Sequence, residues 1–336
     1  MIQKALSIGV DVGNFDTKTQ STVIPSGFVA YKKVPFGNNG YIFYNGMYYM
    51  SDPKRFPYVE DKTENENMFI LTLIAIAKEI EDNAKKRNEK NMAAGKTVLG
   101  VQGEIDKIKD INLGIGLPLS HYNRNKDKYI AYYHERFGDG IEYDFREYHI
   151  KLKINCIQCY PQDFAAVVTY VPKNPQSIMN SREKTYYAVD IGGWTVDIMS
   201  VVSNELEGKG TSKPLGILAM YEHIINEVDS ETGTRLRVTD IEAVLRKEQT
   251  YIGEEEQEII FQETERWFEQ ITNEMIQYGM LLSTTPVLFL GGGSQLFKSF
   301  IKKSGKFVKC EFIANQKANA RGYSLLVSKY AQSVGK

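Results

Sequence analysis

The chain has 336 residues, of which 42% are hydrophobic and 25% are charged, and its formal net charge is -1. This length predicts about two domains with proper cores. The near-neutral charge excludes both a global basic field that would hold nucleic acid directly and an acidic tail. Three cysteines in a chain of this size indicate a reducing compartment rather than a disulfide framework. We therefore expect a cytoplasmic protein.

The first residues run directly into an apolar β-type segment, so we expect no signal peptide. The most apolar run, MFILTLIAIA at 68–77, is too short to span a bilayer and leads into a charged tail. The run predicts the buried part of a helix over 65–87, and we expect no membrane partner.

The first segment with candidate ligand-binding residues is LSIGVDVGNFDTKT at 6–19. An apolar run reaches Asp11 and then a glycine and a polar turn, a pattern typical of strand, tight turn and strand. Gly13 and Asn14 suit positive φ, so the backbone N–H groups of the turn can approach a ligand closely. Such a turn forms a concavity for phosphate oxygens. Asp11, at its mouth, is placed to hold a hydrated Mg²⁺.

Strand and helix patterns alternate along the next part of the chain. The predicted elements are short strands over 22–57 with an Asn45-Gly46 turn, a strand at 111–119, a helix at 126–137, strands at 142–150 and 152–160, and a helix at 163–171. Residues 174–184 are polar and without periodicity, which predicts a linker.

The first hairpin has an echo at 186–202, YYAVDIGGWTVDIMSVV. Aligning DVGNFDTK with DIGGWTVD puts Asp11 on Asp190 and Gly13 on Gly192. Either hairpin alone would be an ordinary turn. Two of them, far apart in one chain, predict two similar domains that face one cleft, with Asp190 in the metal-holding position of Asp11.

Helices and a third glycine turn follow. The predicted elements are a helix over 213–228, a helix at 239–246 capped by Thr239, a long helix at 254–282, a strand at 287–290, a helix at 294–303 and a last helix at 319–330. The strand at 287–290 leads into Gly291, Gly292 and Gly293, which are placed to contact the sugar, base or α-phosphate of a nucleotide. Strands and helices alternate throughout, so the fold class is α/β.

Five motifs in this order carry a resemblance to a known superfamily: DVGNFDTK, YPQDFAA, DIGGWTVD, LGGGSQLF and ANARGY. They resemble the phosphate 1, connect 1, phosphate 2, adenosine and connect 2 motifs of the actin, Hsp70 and sugar-kinase ATPases. Within that superfamily, the length and the stretch INLGIGLPLSHY are similar to the bacterial actin-like plasmid-segregation proteins of the ParM and StbA type. Trp194 departs from the usual third glycine of the phosphate 2 motif.

The resemblance implies an actin-like fold, with two similar RNase H-like domains flanking a nucleotide cleft. Domain I is then 1–175, with a small subdomain inserted at about 23–100 and a C-terminal helix at 319–333 that packs back on it. Domain II is 185–318, with a small subdomain at about 211–285.

The resemblance also implies a function, namely an ATPase or GTPase that polymerises with Mg²⁺ and ATP or GTP into a homopolymeric filament. Hydrolysis would destabilise that filament, which would move plasmid DNA through a ParR-like adaptor bound to a centromere-like site. Gln162 would position the attacking water, with Asp190 and Asp11 as the other catalytic residues. The implied phosphate contacts are Gly13, Asn14, Thr17, Lys18, Gly192, Gly193 and Thr195.

Two other functions fit the same fold. A small-molecule kinase would need a carboxylate base, which Asp163 could supply. The other alternative is a non-polymerising chaperone-like ATPase or a cell-shape protein. A metal centre is disfavoured, because Cys156 and Cys159 have no second pair and the four histidines lack ligand spacing.

Overall fold

The computed structural model describes residues 5–36, 40–57, 59, 61–64, 66–170, 185–202 and 205–334. The chain divides into two compact units. Unit 1 comprises Met1–Thr169 and Lys317–Lys336, and unit 2 comprises Tyr170–Gln316. The linker predicted at 174–184 lies outside the described residues.

Unit 1 is built around a nine-stranded sheet with the order β3-β2-β1-β7-β9-β8-β5-β6-β4. Its strands are β1 (Leu6–Val12), β2 (Asp16–Lys18), β3 (Val23–Pro25), β4 (Phe28–Tyr31), β5 (Tyr41–Tyr44), β6 (Met47–Ser51), β7 (Asp110–Leu117), β8 (Ile141–Phe145) and β9 (Tyr148–Pro161). Its helices are α1 (Asn67–Ala93), α2 (Gly100–Ile105), α3 (Leu119–Phe137), α4 (Phe164–Tyr170) and α10 (Ala318–Val334). The central strands β1, β7 and β9 are parallel, so their carboxyl ends lie at one edge of the sheet.

Unit 2 is built around a five-stranded sheet with the order β12-β11-β10-β13-β14. Its strands are β10 (Thr185–Ile191), β11 (Val196–Val202), β12 (Glu205–Lys213), β13 (Val287–Leu290) and β14 (Cys310–Phe312). Its helices are α5 (Ile217–Thr232), α6 (Val238–Leu245), α7 (Glu254–Gln277), α8 (Gly291–Leu296) and α9 (Lys298–Lys303). Strands β10, β13 and β14 are parallel, whereas β12, β11 and β10 form an antiparallel meander.

The apolar run at 68–77 is the buried half of α1, as predicted, and every residue in it is at most 1% exposed. A helix that is apolar all round needs cover on all sides. Tyr129 and Tyr133 of α3 supply part of it, and the Thr72 hydroxyl lies 2.8 Å from the Tyr133 hydroxyl. No helix among the described residues is both long and apolar enough to cross a membrane.

Helix α10 packs directly on the sheet of unit 1, although it comes from the end of the chain. A Cβ on Gly9 of β1 would lie 1.9 Å from the Ala320 carbonyl oxygen, and one on Gly322 would lie 2.4 Å from the Ala165 carbonyl oxygen. Glycine at both positions therefore lets the backbone of α10 touch β1 and α4.

Several of the predicted helix ends are wrong: α1 ends at Ala93 rather than 87, and α3 begins at Leu119 rather than 126. Three further differences have a local explanation. Helix α6 is capped by Arg237 rather than Thr239, since the Asp240 carboxylate accepts the Arg237 N–H at 2.9 Å. The three glycines at 291–293 are the first turn of α8 rather than a turn before a helix. Helix α7 ends at Gln277 rather than 282, because Gly279 follows with φ +97°.

Candidate phosphate-binding hairpins and an adjoining cavity

The first predicted hairpin forms where β1 passes into β2. Asp11 pairs with Lys18 and Val12 with Thr17 across the two strands, and the Gly13 N–H donates to the Asp16 carbonyl at 3.1 Å. Asp11 is 5% exposed. The turn therefore lies at the carboxyl end of a central strand, where open α/β sheets bind ligands.

The second hairpin repeats this geometry between β10 and β11. Asp190 pairs with Asp197 and Ile191 with Val196, and the Gly192 N–H donates to the Thr195 carbonyl at 2.9 Å. Gly192 and Thr195 align with Gly13 and Asp16, so the hydrogen bond of the turn joins equivalent residues in the two hairpins. The two hairpins share their backbone pattern as well as their sequence pattern.

Side chains from residues 26–62 hold the first turn in place. The Ser26 hydroxyl donates to the Gly13 carbonyl at 2.5 Å and lies 3.0 Å from the Thr17 hydroxyl. Arg55 lies over the Phe15 ring, 3.6 Å from its centroid, and donates to the Phe15 carbonyl at 2.7 Å. Thr17 is 0% exposed, so its hydroxyl supports the turn from within unit 1.

A buried lysine completes this support. Lys62 is 4% exposed, and its Nζ donates to the carbonyl of Val12 at 2.6 Å, one residue after Asp11. Its neighbour Asp61 pairs with Lys128 at 2.6 Å, and the Lys128 hydrogen bond lowers the pKa of Asp61 to about 2. The Asn14 side chain accepts the Val59 N–H at 3.3 Å.

Gln162 lies beside Asp11. It follows the end of β9, and its side-chain Nε2 donates to Asp11 Oδ1 at 2.9 Å. The next residue, Asp163, is 3% exposed and exchanges two hydrogen bonds with the Asn319 side chain, at 2.7 and 3.0 Å. The connect 1 and connect 2 motifs therefore meet within unit 1.

The second turn is held by a helix instead of by side chains. The first N–H groups of α5 donate to this turn, from Ile217 to the Gly192 carbonyl at 3.1 Å and from Leu218 to the Gly193 carbonyl at 2.9 Å. A Cβ on Gly216 would lie 2.3 Å from the Trp194 carbonyl carbon. Glycine at 216 therefore lets the helix reach the turn, and the Trp194 side chain is left 42% exposed.

Two polar side chains of this hairpin differ in their partners. The Thr195 hydroxyl donates to Asp197 Oδ2 at 2.9 Å. Asp190 Oδ1 is buried and has no hydrogen-bond partner among the described residues. A buried carboxylate oxygen without a partner is costly, so an external donor or cation suits this position.

The three glycines of α8 have three different surroundings. A Cβ on Gly291, whose φ is +79°, would lie 1.9 Å from Asp190 Oδ1, and one on Gly293 would lie 2.5 Å from the Ile191 side chain. A Cβ on Gly292 would have no heavy atom within 4 Å. Gly291 and Gly293 are thus required by packing against β10, whereas Gly292 faces open space.

That open space belongs to a cavity of about 590 Å³ within unit 2, between α5, α6, α8 and α9. Its lining residues are Ile217, Tyr221, Glu242, Leu245, Arg246, Gly292, Gln295, Leu296, Lys298, Ser299 and Lys302. The size and the mix of apolar walls with a few polar groups are typical of a small-molecule site.

One wall of the cavity is a hydrogen-bonded trio. Glu242 accepts from the Tyr221 hydroxyl at 3.1 Å through Oε1 and from Arg246 at 2.9 Å through Oε2. Burial and the nearby Glu242 carboxylate raise the pKa of Tyr221 well above its ordinary value, so the phenol stays protonated as a donor. The trio therefore gives the cavity a fixed polar wall.

The predicted site residues fall into two groups. Asp11, Gly13, Asn14, Lys18 and Gln162 lie around the hairpin of unit 1; Asp190, Gly192, Gly193, Thr195 and the three α8 glycines lie around that of unit 2. Among the described residues, no cluster of three or more His, Cys, Asp or Glu side chains is suited to a metal.

Sequence reasoning missed Ser26, Lys62, Gly216 and the Tyr221–Glu242–Arg246 trio. Lys62 lies in a polar stretch without periodicity, and no signal in the sequence marks it as buried. Gly216 is the only one of these with a usable signal, since it lies near the start of the helix predicted over 213–228 and glycine at a helix start permits close approach.

Comparison with known proteins gives matches among solved structures only. No protein-family model and no curated protein matches this chain. The apo ParM protein of pSK41 is 15% identical, with a TM-score of 0.68 and coverage of 98% of both chains. The archaeal actin homolog Ta0583 in complex with ADP is 16% identical, with a TM-score of 0.68, over 96% of this chain and 99% of that one.

A third match is the 15-stranded ParM filament from Clostridium botulinum. It is 16% identical, with a TM-score of 0.67, over 97% of this chain and 100% of that one. Agreement over nearly the whole length of each chain confirms the predicted fold. The chain has the actin-like fold that ParM proteins and archaeal actin homologs share.

Proposed function

We propose that this protein is a nucleoside triphosphatase that assembles into filaments and drives plasmid DNA segregation through an adaptor protein. The proposal rests above all on the paired hairpins, each with an aspartate before its turn, together with the 2.9 Å hydrogen bond from Gln162 to Asp11. Nucleotide switches of this kind need phosphate-binding backbone, a metal-holding carboxylate and a group that orients water.

Each hairpin has its own part in this proposal. The turns at 13–16 and 192–195 offer backbone N–H groups to phosphate oxygens. Lys18, opposite Asp11 in the strand register, adds a positive charge at the same end of the hairpin. Gln162 orients the attacking water with an amide that needs no ionisation, and Asp11 fixes the rotamer of that amide.

Mg²⁺ fits the residues present. Asp11 and Asp190 supply the oxygen ligands that Mg²⁺ prefers, and Asp190 Oδ1 has no partner among the described residues. Each of these carboxylates would act as a ligand of Mg²⁺ through the water molecules of the hydrated ion. When bound, the ion would neutralise phosphate charge.

The cavity of unit 2 would hold the base and sugar of the nucleotide. Gly292 leaves its floor open, and Leu245 and Leu296 provide apolar walls. The Glu242 carboxylate can accept hydrogen bonds from ribose hydroxyls or from an exocyclic amine. Either ATP or GTP meets these requirements.

The structural neighbours support the proposal of nucleotide binding and assembly. Ta0583 was solved with ADP, and a ParM from Bacillus thuringiensis with ATP. Alp12 and the Clostridium botulinum ParM were solved as filaments. We propose the same properties for this chain, with hydrolysis destabilising its filament.

The near-neutral charge supports an indirect link to DNA. A formal charge of -1 favours contact through a ParR-like adaptor on a centromere-like site over direct binding. We place this activity in the bacterial cytoplasm. The kinase alternative is weaker, because its candidate base Asp163 is 3% exposed and bonded to Asn319.

Light scattering at 90° with pelleting, alongside phosphate release, tests the proposal. The protein is mixed with Mg²⁺ and ATP, GTP or no nucleotide. We expect scattering that depends on nucleotide and then decays as phosphate is released. Nucleotide binding without any polymer over a wide concentration range would overturn the filament function, and a screen of phosphate acceptors would then test the kinase.

A further inference from the structure

A lysine patch lies on one surface of unit 2. The stretch 298–309 contains five lysines and no acidic residue: Lys298, Lys302, Lys303, Lys306 and Lys309. The last four are exposed, and none of the five takes part in an ion pair with a described residue of unit 2. Val308, in the same patch, is 50% exposed.

An acidic segment of opposite charge lies elsewhere in the same unit. Residues 247–258 contain one lysine and five glutamates: Glu248, Glu254, Glu255, Glu256 and Glu258. All but Glu256 are exposed, while Glu256 accepts a hydrogen bond from Thr234 at 2.8 Å. Tyr251 projects fully into solvent, at 104% exposure. Each charged surface therefore contains one exposed apolar side chain.

Helix dipoles explain only part of this arrangement. Acidic residues in the first turn of α7 and lysines in the last turn of α9 stabilise the ends of their own helices. Lys306, Lys309 and Glu248 lie outside the helices, so the dipoles do not account for them.

The two surfaces do not pair with each other among the described residues. None of the five lysines and none of the five glutamates takes part in an ion pair there. Both surfaces are thus left for an external partner.

We infer that the lysine patch of one copy binds the acidic segment of a second copy. Two different complementary surfaces on one chain make a heterologous contact, which propagates as an open filament when the rotation does not close. Opposite charge brings the surfaces together, and Val308 and Tyr251 supply apolar contact once water is expelled. This inference rests on the proposed function, since it names the contact through which the filament would grow.

Charge reversal on each surface tests the inference. One variant carries Lys303→Glu and Lys306→Glu, which lie outside the lining of the cavity, and the other carries Glu254→Lys and Glu255→Lys. Each alone should raise the critical concentration for assembly by at least ~10-fold, equal to about 1.4 kcal/mol. A 1:1 mixture should restore assembly to within ~3-fold of wild type, because every contact then pairs opposite charges.

Two controls separate this contact from other effects. Lys86→Glu with Lys90→Glu reverses two exposed lysines of unit 1 and should leave assembly unchanged. Nucleotide affinity, measured with a fluorescent analogue, should stay within ~2-fold of wild type in all variants. Assembly of the wild type should weaken as salt rises from 0.05 to 0.5 M, about a threefold fall in Debye length.

The outcomes distinguish the contact from the function. Normal assembly of either variant, or a mixture that fails to assemble, overturns the contact even if the wild type polymerises. Loss of affinity for duplex DNA in the lysine variant, with assembly unchanged, assigns the patch to nucleic acid. Salt-sensitive association without hydrolysis supports the contact between the lysine patch and the acidic segment but overturns the proposed function. The absence of association at any concentration overturns both.

Discussion

The hairpins at 13–16 and 192–195 have the same backbone and different supports. The first is held by side chains, from Ser26, Arg55 and Lys62, that hydrogen-bond to its carbonyl groups. The second is held by the first turn of α5, whose N–H groups donate to the carbonyls of Gly192 and Gly193. Both supports occupy turn carbonyls and leave the N–H side of the turn for a ligand.

The difference shows that a binding geometry can be kept while its scaffold changes. A support made of side chains divides its contribution among several residues, so the loss of one is partly compensated. A support made of backbone contact depends on close approach, and a single added methyl group disrupts it. The second hairpin should therefore be the more sensitive to one substitution.

The largest effect should come from Gly216→Ala. The new Cβ would lie 2.3 Å from the Trp194 carbonyl carbon and 2.4 Å from the Gly193 oxygen, so α5 must move away from the turn. We expect a loss of about 3 kcal/mol in the free energy of unfolding, measured with urea. Gly292→Ala is the matched control, because its Cβ meets no heavy atom within 4 Å. Equal stability of the two variants would contradict the backbone-contact account.

Gln162→Ala should have the next largest effect, on catalysis and not on folding. Removing the amide next to Asp11 should lower kcat for phosphate release by about 100-fold, while nucleotide affinity stays within ~3-fold. Gln102→Ala removes an amide that hydrogen-bonds to His149, away from the hairpin, and should leave the rate unchanged. Hydrolysis by Gln162→Ala at the wild-type rate would exclude the water-positioning role.

Arg55→Ala should have the smallest effect. Its contacts to Phe15 and Asp16 are partly exposed, and Ser26 and Lys62 still hold the turn. We expect the free energy of unfolding, measured by thermal denaturation, to fall by about 1 kcal/mol or less. KM for the nucleotide should rise at most ~3-fold. Lys54→Ala, one residue earlier and also exposed, serves as the control. A loss above about 3 kcal/mol would show that the first turn depends on a single side chain as well.

The sequence was informative wherever function depends on local backbone. The positions of the two turns follow from Gly13 and Gly192, but the positive φ expected for Gly13 and Asn14 is wrong, since neither residue has it. The hairpin at Asn45-Gly46 follows from a dipeptide in which both residues do have positive φ, at 48° and 76°. The order of five short motifs was enough to predict the actin-like fold.

Contacts between residues far apart in the chain could not be predicted from the sequence. The hydrogen bond from Lys62 to Val12 spans 50 residues, and that from Gln162 to Asp11 spans 151. The cavity combines α5, α6, α8 and α9, whose apolar residues look like ordinary core positions until packing is known. The N-cap of α6 was predicted at Thr239 and lies at Arg237, because arginine is not a residue type that marks an N-cap in the sequence.

The position of α10 has a consequence for synthesis. Unit 2 is one continuous stretch, Tyr170–Gln316, whereas unit 1 needs Lys317–Lys336 to cover β1 and β7. All of unit 2 is therefore translated before α10. The strand that carries Asp11 stays uncovered on one face until α10 has left the ribosome.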